Sequence, residues 1–226
     1  MRIGAGERRG SATVLTAVLA LAGVTCLAAV ALDRQDGTSV AVAAPPAPPA
    51  SASGAPSEST AIAETAEASV VGPLLGTSAP RTLTIPAIDV RSDLQLLGLA
   101  ADGTMEVPAP GPRYDDAGWY RHSPTPGALG PAVIVGHVDS AANGPSVFYR
   151  LGSLRRDDTV RVTRADGTVA VFAVDSVRRF RKSEFPTQLV YGNTDHAALR
   201  LITCGGPIEA DSGHYRDNIV VLASLI

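Results

Sequence analysis

The chain has 226 residues, 45% hydrophobic and 18% charged, with a formal net charge of −3. That balance argues against a nucleic-acid binder, which carries a clear basic excess. Only 4% of the residues are aromatic, and all ten of them lie between Tyr114 and Tyr215, so one uniform globule is excluded.

The first element is an apolar run of 22 uncharged residues, Ser11 to Leu32. As a helix it measures about 33 Å, enough to cross a hydrocarbon core of roughly 30 Å. Arg2, Arg8 and Arg9 precede it and Asp33 closes it. The positive-inside bias then keeps residues 1–10 in the cytoplasm and places everything after the span outside. A cleaved signal peptide has an apolar region of only about 7–15 residues, so the length favours an uncleaved anchor at 11–32. Residues 33–80 are rich in Ala, Pro, Ser, Gly and Thr, with Pro45-Pro46-Ala47-Pro48-Pro49 near the centre. Such a segment cannot bury enough apolar area to offset its ordering entropy, and it reads as a disordered tether.

From Arg81 onward the pattern is that of short strands. Expected strands are 82–86, 93–99, 104–108, 131–136, 159–163, 168–177, 198–203 and 218–225, about eight in all. Ala165-Asp166-Gly167 is a hairpin signature. Short helical turns are expected around 113–120, 146–150 and 182–190. Many strands punctuated by Gly and Pro indicate an all-β, closed or nearly closed barrel over residues 81–226.

There are two cysteines, Cys26 and Cys204. The first lies in the expected membrane span and the second in the exported domain, so they cannot pair in one molecule of this topology. A lone thiol in an oxidising compartment is a candidate nucleophile. The plainer reading is a buried, inert cysteine. Leu201-Ile202-Thr203-Cys204-Gly205-Gly206-Pro207 puts the thiol at a strand end before a glycine break, where a rigid support meets substrate. Of the four histidines, His137 has the best setting, ending the buried run 132–136; His122, His196 and His214 sit in polar stretches. Arg216 opens the last strand, where a guanidinium can bind a carbonyl or an oxyanion, or simply pair with Asp211 or Asp217.

The ordered set of Val-Gly-His-Val-Asp (135–139), Leu-Ile-Thr-Cys (201–204) and Tyr-Arg-Asp-Asn (215–218) resembles the sortase family. Ile85-Pro86-Ala87-Ile88-Asp89-Val90 resembles that family's first strand, and Gly-His-Val-Asp-Ser with Cys-Gly-Gly-Pro is similar to the actinobacterial class F members. The resemblance covers residues 81–226. It implies a closed eight-stranded sortase-type β-barrel with short helices, here behind a transmembrane helix and a disordered linker. It implies a cysteine transpeptidase in which Cys204 attacks an LPXTG-type sorting signal, His137 exchanges protons with the leaving and incoming amines, and Arg216 stabilises the oxyanion. Thr203 and Gly205, flanking the thiol, and Arg178, Arg179 and Arg181, in the segment that shapes the sorting-signal groove, become candidate substrate contacts. The implied partners are sorting-signal proteins and a peptidoglycan precursor or other amine acceptor. The expected location is the cell membrane, single-pass, with the domain extracytoplasmic. No metal or organic cofactor is called for: Asp115-Asp116 and Asp157-Asp158 read as turn or cap residues.

Two other readings compete. An L,D-transpeptidase-like enzyme carries a histidine two residues before its thiol, where this chain has Ile202; a papain-like enzyme places its histidine after the thiol. A tethered binding module with an inert thiol is the non-catalytic alternative.

Overall fold

A computed structural model describes residues 69–226 of the chain. The membrane helix expected at 11–32 and the first part of the linker lie outside the described residues. Among the described residues no helix is long and apolar enough to cross a membrane.

The strands are β1 (Pro80–Ile85), β2 (Val90–Asp93), β3 (Gln95–Leu97), β4 (Gly118–Tyr120), β5 (Gly130–Val135), β6 (Asp139–Ser140), β7 (Gly144–Pro145), β8 (Thr159–Arg164), β9 (Val169–Arg181), β10 (Ala197–Ile208) and β11 (Tyr215–Leu225). Nine of them form one sheet in the order β2-β1-β8-β9-β11-β10-β5-β4-β3, and β6 and β7 pair as a small ribbon. The two edges, β2 and β3, are separated by Leu94 alone. Its N–H donates to Arg81 while the N–H of Gln95 donates to Ala117, so the chain steps from one edge of the sheet to the other and the barrel is nearly closed.

This is an all-β barrel with one strand more than the eight expected. The expected strand 93–99 is interrupted at Leu94, and β2 precedes it. Residues 113–120 turn and then form β4 rather than a helical turn. The expected strand 104–108 makes only a Leu99–Met105 bridge. Segments this short carry too few residues for a period to show. The hairpin at 165–167 joins β8 to β9, with Gly167 at φ 83° and the Asp166 carboxylate accepting from the Thr168 N–H at 3.0 Å. The expected helical stretch 182–190 is a 3-10 turn, Lys182–Glu184, followed by the short helix α1, Thr187–Tyr191.

The sheet has two apolar faces, because neighbouring side chains on a strand point to opposite sides. The inner face holds Leu83, Ile85, Ile134, Phe148, Phe172, Leu199, Leu201 and Val221. The outer face of the central strands holds Val133, Val135, Ile202, Cys204 and Val220, covered by Tyr120, Val190 and Tyr191. With both faces covered, β5 is buried along its whole length, which explains its unbroken apolar sequence.

Residues 71–79, at the end of the expected linker, run against the barrel. The Val71 N–H donates to Asp195 and the Leu75 N–H to Gly127, and Leu75 packs on the inner cluster. The Arg164 guanidinium, 1% exposed, donates to the Gly76 carbonyl and lies 3.5 Å from Asp166. A composition-based boundary at 80 misses this arm, since its contacts come from a distant buried arginine.

Candidate active site

Parallel pairing sets the site. β5 and β10 run side by side with Val135 opposite Ile202, and the Gly136 N–H extends the ladder to the Ile202 carbonyl at 3.2 Å. Two residues further along each chain stand His137 and Cys204. Adjacent strands lie about 4.8 Å apart, so the histidine, just past the end of β5, stands beside the thiol. β10 does not end at Cys204 as the glycines suggested but pairs on to Ile208 through a register shift after Gly205. Gly136 is required there: a Cβ would meet Val147 at 2.7 Å and the Phe148 ring at 2.9 Å. Across the other edge of β10, Cys204 is opposite Asn218 of β11, and Asn218 is opposite Phe180 of β9. His137, Cys204, Asn218 and Phe180 thus form one row across four strands, on the outer face.

One pleat beyond that row stand Arg216 on β11 and Lys182, just past the end of β9. The β10–β11 register shifts after Gly205, around Gly206, whose φ of 78° suits glycine and where a Cβ would run into the Asp217 carboxylate. Arg216 is partly exposed, with Nε 3.3 Å from Asp217 Oδ1. A cleft of about 270 Å³ is lined by Lys182, Glu209, His214, Tyr215 and Arg216 among others. A larger cleft of about 390 Å³ runs between Ile88 and Arg150 and includes Asp115 and Tyr149, but none of the predicted site residues lines it.

His137 is 4% exposed. Its ring stacks on Tyr114 with centroids 4.0 Å apart and planes 3° from parallel. Its Nε2 lies 2.8 Å from the Pro108 carbonyl. A carbonyl only accepts, so Nε2 carries the hydrogen and Nδ1 is the ring nitrogen left for proton exchange. Burial holds the imidazole below its ordinary value, opposed by the Pro108 hydrogen bond and by Asp115 and Asp139. Cys204 is 2% exposed. Burial pushes its thiol up, Lys182 pulls it down and Asp139 pushes it up again. At neutral pH these directions favour an uncharged thiol beside an uncharged imidazole.

Asp139 ties the site together. Its carboxylate accepts from the Tyr215 hydroxyl at 2.5 Å, and its backbone carbonyl accepts from the Tyr114 hydroxyl at 3.1 Å. The hydrogen bond to Asp139 and burial hold Tyr215 in its neutral form, with its pKa pushed up to about 12.

The other predicted contacts divide by strand alternation. Arg178 is opposite Val220 and shares the Cys204 face, whereas Arg179 and Arg181 are opposite Ile219 and Asp217 and face the other way. Arg179 lies 3.9 Å from Asp217. Thr203 is opposite Ile219; it is 1% exposed and points inward, with its hydroxyl unpaired. Gly205 also presents its α-carbon inward, toward Ile219. The side chain of Thr203 is therefore no substrate contact. Sequence reading missed Tyr114, Asp139, Tyr215, Asn218 and Lys182. Asp139, Tyr215 and Asn218 lie inside the quoted motifs, and Lys182 is the chain's single lysine, but nothing local marked Tyr114.

One member of each acidic pair has a local partner. Asp116 pairs with Arg113 at 2.7 Å, and the Asp158 carboxylate accepts from the Arg155 N–H at 2.7 Å.

Residues 83–226 match the family model for the sortase domain. No curated protein matches the chain. Among solved structures it is similar to sortase A from Corynebacterium diphtheriae, at 20% identity and a TM-score of 0.50, covering 67% of this chain and 62% of that one. It is also similar to sortase C-1 from Actinomyces oris, at 18% identity and a TM-score of 0.49, covering 64% and 70%. The chain thus spans less than two thirds of the first of these, and the likeness is one of fold.

Proposed function

The chain belongs to the sortase family of cysteine transpeptidases, and on that premise we propose that it cleaves an LPXTG-type sorting signal through a Cys204 thioester and passes the acyl group to a cell-wall amine. The observation that carries this reading is the row of His137 and Cys204 just beyond the last parallel pair of β5 and β10, with Arg216 one pleat beyond.

Cys204 gives its proton to His137 Nδ1, and the thiolate attacks the Thr–Gly carbonyl carbon. The C–S bond forms, the carbonyl becomes an oxyanion, and Arg216 is the guanidinium available to hold it. As the C–N bond breaks, the imidazolium proton goes to the leaving amine. The acceptor amine then attacks the thioester, loses a proton to His137 and releases the thiolate. One hard amide cleavage becomes two easier steps. Burial of the thiol limits the thiolate fraction before substrate arrives, and dry walls strengthen every charge contact once it does.

Gly-His-Val-Asp-Ser (136–140) and Cys-Gly-Gly-Pro (204–207) support a class F assignment. The apolar run 11–32 behind three arginines supports a single-pass membrane anchor with the barrel outside; retention of the full chain in alkali-washed membranes, lost on deletion of residues 1–32, tests it. For the reaction, the purified full chain is incubated with a pentapeptide library and an added amine, and products are weighed by mass spectrometry. The expected result is one amide product from LPXTG-containing peptides and none from Cys204→Ala. Undiminished cleavage by Cys204→Ala overturns the mechanism.

A further inference from the structure

The chain has one lysine, Lys182, among nineteen basic side chains. Lys182 follows directly on the last residue of β9 and comes two positions after Phe180. Phe180 shares a row with Cys204 through Asn218, and Lys182 opens the 3-10 turn that leaves β9 just beyond that row. Its charge bears on the Cys204 sulfur and pulls the thiol toward ionisation. The same side chain lines the cleft it shares with Tyr215 and Arg216.

Of the other cations near the thiol, Arg178 shares its face but is exposed to solvent, and two arginines have a carboxylate beside them. Arg216 directs Nε to Asp217, and Arg179 lies against the same carboxylate. His137 donates Nε2–H to Pro108 and is held neutral by burial. The remaining groups facing the sulfur are the neutral phenols of Tyr114 and Tyr215 and the carboxylate of Asp139. Asp139 opposes ionisation of the thiol, but it already accepts the Tyr215 hydroxyl.

We propose that Lys182 is a further catalytic residue, the counter-cation that stabilises the Cys204 thiolate before it attacks and again when it is released from the thioester. The inference rests on the reading of Cys204 as nucleophile. The thiol proton goes to His137 Nδ1, and the negative charge left on sulfur is met by Lys182 N–H donors. Lys182 neither gains nor loses a proton through the cycle. A compact ammonium with three rotatable donors suits a single sulfur anion better than a planar fork built for carboxylates.

The test is the pH dependence of iodoacetamide alkylation at Cys204 in the full chain, followed by mass spectrometry of the Cys204 peptide so that Cys26 does not contribute. Lys182→Met should move the midpoint upward by about one unit, roughly a tenfold slower reaction at pH 7. Lys182→Arg keeps the charge with a poorer fit, and its midpoint should lie between those of the wild type and Lys182→Met. With a sorting-signal peptide, Lys182→Met should lower kcat with little change in KM. Lys182 is only half-buried, and Lys182→Gln provides a second neutral variant if the first folds poorly. Neutral variants whose alkylation profiles superpose on the wild type overturn the proposal. Alkylation needs no sorting signal, so this result is separate from failure of the proposed reaction, which shows as cleavage surviving Cys204→Ala.

Discussion

The two faces of the central strands make an instructive contrast. On the inner face, Leu199, Leu201, Val221 and Ala223 pack into a dry core. On the outer face of the same strands, the apolar run Ile202, Val220 and Leu222 continues into Cys204 and Asn218, where chemistry begins. One residue of offset separates packing from function, since alternate side chains on a strand point to opposite sides. The inner face fixes the strand spacing, and the outer face uses that spacing to hold His137 beside Cys204. The two faces should therefore fail differently when mutated.

The largest effect expected is on the outer face. His137→Ala should lower turnover by about a thousandfold while the melting temperature changes little; turnover within tenfold of wild type would show that another group carries the proton. On the inner face, Leu201→Ala should cost about 2–5 kcal/mol in chemical denaturation and leave turnover per folded molecule near wild type. Loss of turnover without loss of stability would merge the two faces. Arg216→Lys keeps the charge but not the fork, and should lower turnover about tenfold or more with no measurable change in stability. Equal turnover would reduce Arg216 to a surface ion pair with Asp217.

Thr203 sharpens the contrast from within the motif. Its hydroxyl is buried, inward and unpaired, so Thr203→Val should raise stability by about 1 kcal/mol and leave KM for the sorting signal unchanged. A raised KM would place Thr203 on the substrate side.

The smallest effect is a pH slope. Burial lowers the His137 pKa below 6.5 in the folded state. The stability this group contributes is present above the unfolded value and is lost as pH falls through the folded one. The melting temperature of the wild type should accordingly fall more steeply from pH 7 to pH 5 than that of His137→Gln. Parallel slopes would mean that the imidazole is as easily protonated in the barrel as in the unfolded chain.

Read alone, the sequence settled the all-β character, the hairpin at 165–167, the buried strand expected at 131–136 and found one residue earlier, and Cys204 and His137 as candidates. Continuous apolar runs and turn residues are local signals, and a single cysteine in the strand-rich half is visible by counting. Strand number was less legible, because β2, β4 and the β6–β7 ribbon are too short to show a period. Which residues share a face follows from strand pairing alone. The register of β9 against β11 separates Arg178 from Arg179 and Arg181, and that of β10 against β11 turns Thr203 inward. The fold likewise brought Tyr114, Asp139 and Lys182, from three distant segments, to the thiol, and it docked residues 71–79 through the buried Arg164. Pairing register is a property of two strands at once, and no single stretch of sequence contains it.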